Sequence, residues 1–415
     1  MLDVNLIRKE PDKVREGVEK KGVDPKLVDD FLAVDEKWRG IVASLDELRS
    51  KQNEITDKLS AGKKDDLIEE AKKFKEKISK LEDESKGLEN ERNKILNDLP
   101  NIPFRDVLVG KDENENKVLR KEGKKPKFGF KVKDSFSLGE DLGIIDTKKA
   151  SQVAGTRFGY LKGDAVMLQF ALMRLGFEML MKDGFVPVLP PVMIKPEVFA
   201  GMGRLAADQE QERYHFSKDD LYLVGSAEHT LGPLHMKDTL DSKDLPRRYV
   251  GYSTCFRREA GSYGKDTKGI FRVHQFDKLE MFSFVDPEKS GEEHEFMLSL
   301  QEKLMQKLEL PYQVVDICTG DMGWTDAKQY DIEVWFPSED RYRETHSCSD
   351  TTDFQARGIG AKYRKDGKTE FLHMLNATVF SQRPLLAILE NYQKKDGTIE
   401  VPKVLQKDMG KKVIG

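Results

Sequence analysis

Two long heptad seams joined by a few polar residues constrain this 415-residue chain more than any other feature. Phe31, Val34, Trp38, Ile41, Leu45, Leu48, Ile55 and Leu59 recur at intervals of three, four and seven, with Gln52 filling one seam position. After residues 60–64 the pattern resumes with Leu67, Phe74, Ile78, Leu81, Leu88 and Ile95. Such spacing predicts two helices packed along a narrow apolar stripe. The short connection requires them to run antiparallel. Each helix is roughly 30–35 residues, or about 50 Å at 1.5 Å per residue. A hairpin with so thin a stripe is expected to project from a body rather than pack inside one. Oligomerisation or simple spacing is one use for it, and contact with a long partner is another. Lys72, Lys73, Lys75, Lys77 and Lys80 lie on the second helix. A charge run there suits a solvated face, and it also suits phosphates.

The chain after the hairpin reads as a second domain of a different kind. Residues 1–24 form a short helix and turn, with Pro11 at the start and Gly22 at the end. Pro100 and Pro103 close the hairpin, because proline cannot continue a helix. The reading therefore assigns 1–103 to an amino-terminal domain with an arm over about 27–98, 104–127 to a polar linker, and 128–415 to a catalytic domain. A helix is expected over about 163–182, with Met167, Phe170, Ala171, Leu175 and Leu180 as its packing face. Strand-like runs follow at 184–191, 222–224, 248–256, 271–284, 312–318, 330–335 and 342–347. Strands and helices do not alternate regularly, so an antiparallel sheet flanked by helices fits, giving an α+β chain.

Bulk properties narrow the function. Formal net charge is −4 although 35% of residues are charged, so any nucleic-acid contact must come from local patches. Cys255, Cys318 and Cys348 lie far apart, with no metal-ligand spacing and no disulfide framework. That usage suits a reducing compartment. No apolar run of signal-peptide or membrane-span length is present, so a cytoplasmic protein with no membrane partner is expected.

The densest chemistry lies at 255–280. Two strand-like runs, 249–259 and 271–284, flank a loop rich in glycine and cations. Arg257 and Glu259 alternate on the first, and Arg272, His274, Phe276, Lys278 and Glu280 on the second. A period of two sends them to one sheet face. Two fixed cations, an aromatic plane and two carboxylates suit a nucleotide triphosphate beside a small zwitterion. An ordinary hairpin with cross-strand ion pairs is the plainer reading, and it fits one isolated arginine better than this whole string. The chain has no Gly-x-x-x-x-Gly-Lys-Ser/Thr loop and no Gly-x-Gly-x-x-Gly after a strand. Phosphates would then be held by guanidinium forks.

This stretch closely resembles motif 2 of class II aminoacyl-tRNA synthetases, in the bacterial form used by seryl-tRNA synthetases. The resemblance runs nearly the full length. Residues 184–191 resemble motif 1, which implies a homodimer through that region. Residues 376–393, with Asn376, Thr378 and Arg383, resemble motif 3. Ser226-Ala227-Glu228 resembles the serine loop, and the run Glu344-Thr345-His346-Ser347 resembles the metal segment. The hairpin resembles the arm that binds tRNA(Ser).

The resemblance implies roles residue by residue. Arg257 would bind the ATP α-phosphate and the amino-acid carboxylate, flanked by Arg258. Glu259 would meet the adenine amino group, Phe276 would stack on adenine beside Val273, and Arg272 would contact phosphate. Arg383 would hold the γ-phosphate. Glu344 and Ser347 would hold Mg²⁺, with Thr345 and His346 completing the ATP site. Ser226, Ala227, Glu228, Asn376 and Thr378 would surround L-serine, and Glu280 would take its hydroxyl. The implied catalytic set is Arg257, Glu280 and Arg383, with no covalent nucleophile. The implied reaction joins serine to ATP and then to tRNA(Ser), with tRNA(Sec) open as a second acceptor. Ser226 stands where threonine is usual, His346 where serine is common and Asp350 where asparagine is frequent. The Asn376–Arg383 interval is one residue shorter than the common spacing, so Ser381 or Gln382 is placed to take over a contact.

Overall fold

The computed structural model describes all residues except 61, 63, 64 and 261–268, together with the side chains of 65, 66, 207 and 208. The glycine- and cation-rich loop of the central hairpin thus lies largely outside the described residues. The chain divides into two units, residues 2–100 and 101–415, with Met1 grouped with the second.

The first unit is helical. Short helices α1 (Val4–Lys9) and α2 (Pro11–Lys20) precede α3 (Lys26–Ser60) and α4 (Asp65–Asn97). Asp35 faces Arg92 and Arg49 faces Glu82, so α3 and α4 run antiparallel. Phe31, Val34, Leu45 and Ile55 on α3 and Ile78 and Leu96 on α4 are buried along the seam. Arg92 takes a seam position and lies over the rings of Phe31 and Trp38. Its Nε donates to Asp35 at 2.7 Å, and Arg8 and Arg39 donate to the same carboxylate.

The second unit is built on an eight-stranded sheet. Its strands are β1 (Lys117–Glu122), β2 (Val186–Val188), β3 (Arg247–Phe256), β4 (Gln275–Val285), β5 (Tyr312–Asp316), β6 (Lys328–Phe336), β7 (Arg341–Asp350) and β8 (His373–Phe380). Their order is β1-β5-β6-β7-β8-β4-β3-β2. All neighbours are antiparallel except β2 and β3, which are parallel. Helices α5 (Asp164–Lys182), α7 (Ser290–Lys307) and α8 (Gln382–Asn391) contribute Leu168, Met297, Leu304, Leu385 and Leu389 to a core shared with Leu279, Val334 and Val379 of the sheet. A Cβ at Gly176 would sit 2.7 Å from Leu279 and 2.9 Å from Val379, so glycine lets α5 lie close on the sheet.

Three expectations change. Residues 117–122 of the supposed linker form the outer strand β1, paired with β5. Its residues are all exposed, which explains why the segment reads as polar connection. On α5, Ala171 and Leu180 are buried as expected, but Met167 and Phe170 are exposed. That helix is apolar on more than one face, so periodicity alone does not select the inward one. Strand β8 lies at the centre of the sheet although its sequence gives no alternating pattern. Its residues after His373 are all buried, and a strand covered on both faces loses the period of two.

Candidate active site

Strands β3 and β4 set the site. Their register puts Phe276 opposite Cys255, Lys278 opposite Ser253 and Glu280 opposite Gly251. The ladder covers 247–256 and 275–285, less than the sequence predicts, and beyond it Arg257 N still donates to His274 O at 2.9 Å. Glu259 has φ +54°, in the left-handed region. Such backbone costs about 1 kcal/mol or more and collects at functional sites. Glu259 Oε2 accepts from Arg272 Nη1 at 2.6 Å, so these two side chains meet each other. Arg257 Nε donates to Gly225 O at 3.0 Å, and its guanidinium lies 5.3 Å from the Phe276 ring centroid. A Cβ at Gly225 would stand 2.7 Å from Arg213 Nη1, so glycine there leaves room for both arginines.

Two cavities share Arg257, Glu259, Arg272, Lys278 and Ser347 as walls. The larger, about 460 Å³, is also lined by Ser226, Glu228 and Asn376. Ser226 Oγ accepts from Lys278 Nζ at 3.3 Å. Glu228 begins the short helix α6 (Glu228–Leu231), is buried, and pairs with the half-buried Arg204. Burial pushes the Glu228 carboxyl up, but Arg204 and Lys278 outweigh it and hold the group below its usual range. Glu280 lies beneath Lys278, fully buried. Lys278 Nζ stands 2.6 Å from Glu280 Oε2, yet neither carboxylate oxygen makes a hydrogen bond of good geometry. Burial raises the Glu280 carboxyl to about 7 against the opposing charge of Lys278. Asn376 Nδ2 is likewise buried without a partner.

The smaller cavity, about 180 Å³, is lined by Phe276, Val273, Glu344, Thr345, Ser347, Thr378 and Arg383. On β7 the register shifts between the pairs Ile332–His346 and Glu333–Glu344, leaving Thr345 as an extra residue. Such a bulge reverses the alternation that follows it. Glu344 and Ser347 therefore face one side although they are three apart. His346 turns the other way, where Nε2 meets Val379 O at 3.0 Å and Nδ1 meets Thr345 Oγ1 at 2.7 Å. Burial lowers His346 to about 4. Arg383, in the first turn of α8, reaches Glu344 Oε2 at 2.9 Å and lies over the Phe271 ring. Its charge is the main cause holding the Glu344 carboxyl below its usual value.

Four residues from the sequence reading stand apart from these walls. The His346 side chain faces the core, because of the bulge. Ala227 packs in an apolar cluster with Leu231 and Phe282. Arg258 is exposed and lines neither cavity. Glu280 sits behind Lys278 rather than on the surface of the cavity. In the shortened segment Ser381 caps α8 by accepting from Arg383 N, and Gln382 donates to Ile270 O. Conversely, Arg204, Gln209, Arg213, Asp326, Gln329 and Ser349 line the larger cavity and were not foreseen. Burial and the nearby Arg257 and Arg204 lower Arg213 to about 9. Lys278 stands in the alternating run 272–280, which is a signal; Arg204 and Arg213 lie in a segment with no pattern to mark them.

An antiparallel sheet presenting two arginines, an aromatic plane and buried carboxylates to paired cavities is a nucleotide-and-zwitterion site of one known class. Residues 213–392 match the model of the tRNA synthetase class II core domain (G, H, P, S and T), so the second unit contains a class II synthetase core. Residues 1–103 match the seryl-tRNA synthetase N-terminal domain. A serine–tRNA ligase of Thermobifida fusca is 40% identical, with 100% of this chain and 99% of that protein aligned. The crystal structure of seryl-tRNA synthetase from Pyrococcus horikoshii complexed with ATP is similar at 40% identity and TM-score 0.91, covering 100% of this chain and 99% of that one. The cytoplasmic serine–tRNA ligase of Naegleria fowleri in complex with AMP is similar at 35% identity and TM-score 0.85, covering 100% and 98%. The chain belongs to the seryl-tRNA synthetase family.

Proposed function

We propose that this chain activates L-serine with ATP and transfers the seryl group to the 3′ end of tRNA(Ser). The observation that carries this reading is the junction of the two cavities at Arg257 and Lys278, with the buried Glu280 carboxylate beneath, ion-paired to Lys278 but without a hydrogen bond of good geometry. A buried carboxylate with capacity left for hydrogen bonds is costly unless a ligand donor completes it. A substrate hydroxyl is such a donor. The free edge of Glu228 and the Asn376 amide then meet the substrate's other polar groups, with Ser226 and Thr378 completing that pocket.

Adenylation is a displacement at phosphorus. A serine carboxylate oxygen attacks the ATP α-phosphorus, the bond to the bridging oxygen breaks, and pyrophosphate leaves with its electron pair. Arg257 stands where it meets both reactants and opposes the charge that grows between them. Phe276 and Val273 offer the adenine an apolar wall, and Glu259 offers its amino group an acceptor once Arg272 turns to phosphate. Arg383 holds the far end of the triphosphate. Glu344 and Ser347 share a face and present hard oxygen donors. That set fits Mg²⁺, which keeps waters and takes most other ligands from phosphates. The ion would neutralise phosphate charge there. In the second step the terminal ribose hydroxyl of tRNA attacks the seryl carbonyl, and AMP leaves. Positioning and electrostatics suffice, with no covalent enzyme intermediate.

On this reading 1–103 is the RNA-binding domain, with the hairpin over about 27–98 as its arm, and the rest of the chain, β1 included, is the catalytic domain. The exposed Met167, Phe170, Met181, Val186 and Leu189 support a homodimer through α5 and β2, since apolar surface gathered in one region marks an interface. No described helix is long and apolar enough to cross a membrane, and a cytoplasmic site of action is proposed. The test is serine-dependent exchange of pyrophosphate into ATP without tRNA. Exchange with serine is expected, and its absence overturns the reading. Removing 27–97 should spare exchange and weaken charging of tRNA(Ser), with tRNA(Sec) assayed beside it. Undiminished charging would overturn the arm's role.

A further inference from the structure

Residues 117–133 carry eight lysine and arginine side chains against one carboxylate, Glu122, in a chain of formal net charge −4. All of β1 is exposed, and so is every lysine from Lys124 to Lys133. Some of these cations are engaged. Arg120 pairs with Glu302 and Lys133 with Asp141. Lys117 lies opposite Asp316 in the ladder. Lys121 and Lys125 sit over the rings of Tyr342 and Trp335. Lys124, Lys127 and Lys131 have no carboxylate partner among the described residues.

The plain account of lysines on β1 is protection. It is the outer strand of the sheet, and cations on such a strand discourage pairing with another sheet. That covers Lys117 and Lys121. It does not cover Lys124, Lys127 and Lys131, which follow the strand and guard no ladder. The basic ribbon also adjoins the site. A cavity of about 720 Å³ is walled by Asn116, just before β1, by Tyr342, by the arginines Arg272, Arg341, Arg343 and Arg383, and by the carboxylates of Glu113, Asp321, Asp331, Glu333 and Glu344, which the arginines offset on the side toward the site. Lys121 and Lys125 cover the same Tyr342 ring. A polyanion whose end enters this cavity would meet the ribbon next.

We propose that the ribbon 117–133 docks the sugar–phosphate backbone of the acceptor RNA near its reactive end. The proposal rests on the charging reaction above, because that reaction makes RNA the polyanion brought to this cavity. The unpaired lysines lose no internal ion pair on meeting phosphates, and each neutralised phosphate releases counterions. Cations that position a backbone carry no sequence information, so the ribbon serves affinity and placement.

The test is the full-length variant Lys124→Gln/Lys127→Gln/Lys131→Gln, with an unmodified tRNA(Ser) transcript as probe. Serine-dependent pyrophosphate exchange should match the parent. The KM for tRNA at about 0.15 M salt should rise about tenfold, and the slope of log affinity against log salt should shrink by about 2 to 3. A tRNA KM and salt slope within twofold of the parent would overturn the proposal. So would equal loss of exchange and charging, because the ribbon would then serve adenylation. Retention of the transcript on filters gives the same salt slope without any serine chemistry. Failure of serine activation and failure of the ribbon are therefore separable.

Discussion

The arm and the site each bury a carboxylate, and they treat it in opposite ways. Asp35 in the hairpin is fully buried and saturated: both oxygens accept hydrogen bonds from Arg8, and Arg39 and Arg92 add one each. Burial pushes its pKa up, but Arg8 and Arg92 prevail and bring it down to about 2. Glu280 is as deeply buried, yet its one ion pair, with Lys278 at 2.6 Å, is not a hydrogen bond of good geometry, and burial raises it to about 7. The first arrangement ties α1, α3 and α4 together and has no capacity left. The second has capacity left for a well-aligned donor. A complete set of partners marks a structural carboxylate, and an incomplete one marks a carboxylate that awaits substrate.

Substitutions can break that contrast. The largest expected effect is Glu280→Gln, which keeps shape and removes the acceptor charge. It should lower kcat/KM for serine in exchange by about 10³-fold or more, with the fold intact by circular dichroism. Asp35→Asn should do the reverse. Breaking a buried pair costs about 3 kcal/mol or more, so the helical signal of the full chain should melt earlier while exchange is kept. Loss of exchange in Asp35→Asn, or a melting shift in Glu280→Gln as large, would erase the distinction. Next comes Arg204→Met, which leaves Glu228 buried without its main partner. The serine KM should rise about 10- to 100-fold while the ATP KM stays put, and Arg204→Lys should restore part of it. Equal rises in both constants would make Arg204 merely structural.

The smallest effect concerns pH. Asp35 is depressed in the folded chain, so its contribution is complete above about 3.8, its unfolded value, and is lost as pH falls through about 2. The loss amounts to about 2 kcal/mol. Glu280 has the opposite sign: its folded pKa is raised, so the unfolded chain gives up the proton first, and stability declines as pH rises from about 4.5 to about 7. Denaturant titrations across pH should show the acid-side loss vanish in Asp35→Asn and the neutral-side decline vanish in Glu280→Gln. Unchanged profiles would refute both assignments.

What the sequence conveyed follows from how each signal is encoded. The hairpin was legible because a heptad repeat over two helices is redundant, and a single polar intrusion such as Gln52 does not hide it. Lys278 and Glu280 were legible as an alternating pair on one strand. Their mutual ion pair was not, since spacing gives the face and not the depth. The Thr345 bulge that brings Glu344 and Ser347 together is a matter of pairing with β6. Arg204 and Arg213 enter the site from a segment that becomes part of it only through tertiary packing. Strand β8 was hidden by being buried on both faces.

The most direct test of the contrast is the ratio of kcat/KM for serine over alanine in pyrophosphate exchange by the unmodified chain. Alanine fills the same pocket but offers Glu280 no donor. If Glu280 awaits a hydroxyl, the ratio should be about 10³ or greater. A ratio near 1 would contradict the account, because the buried carboxylate would then play no part in choosing the substrate.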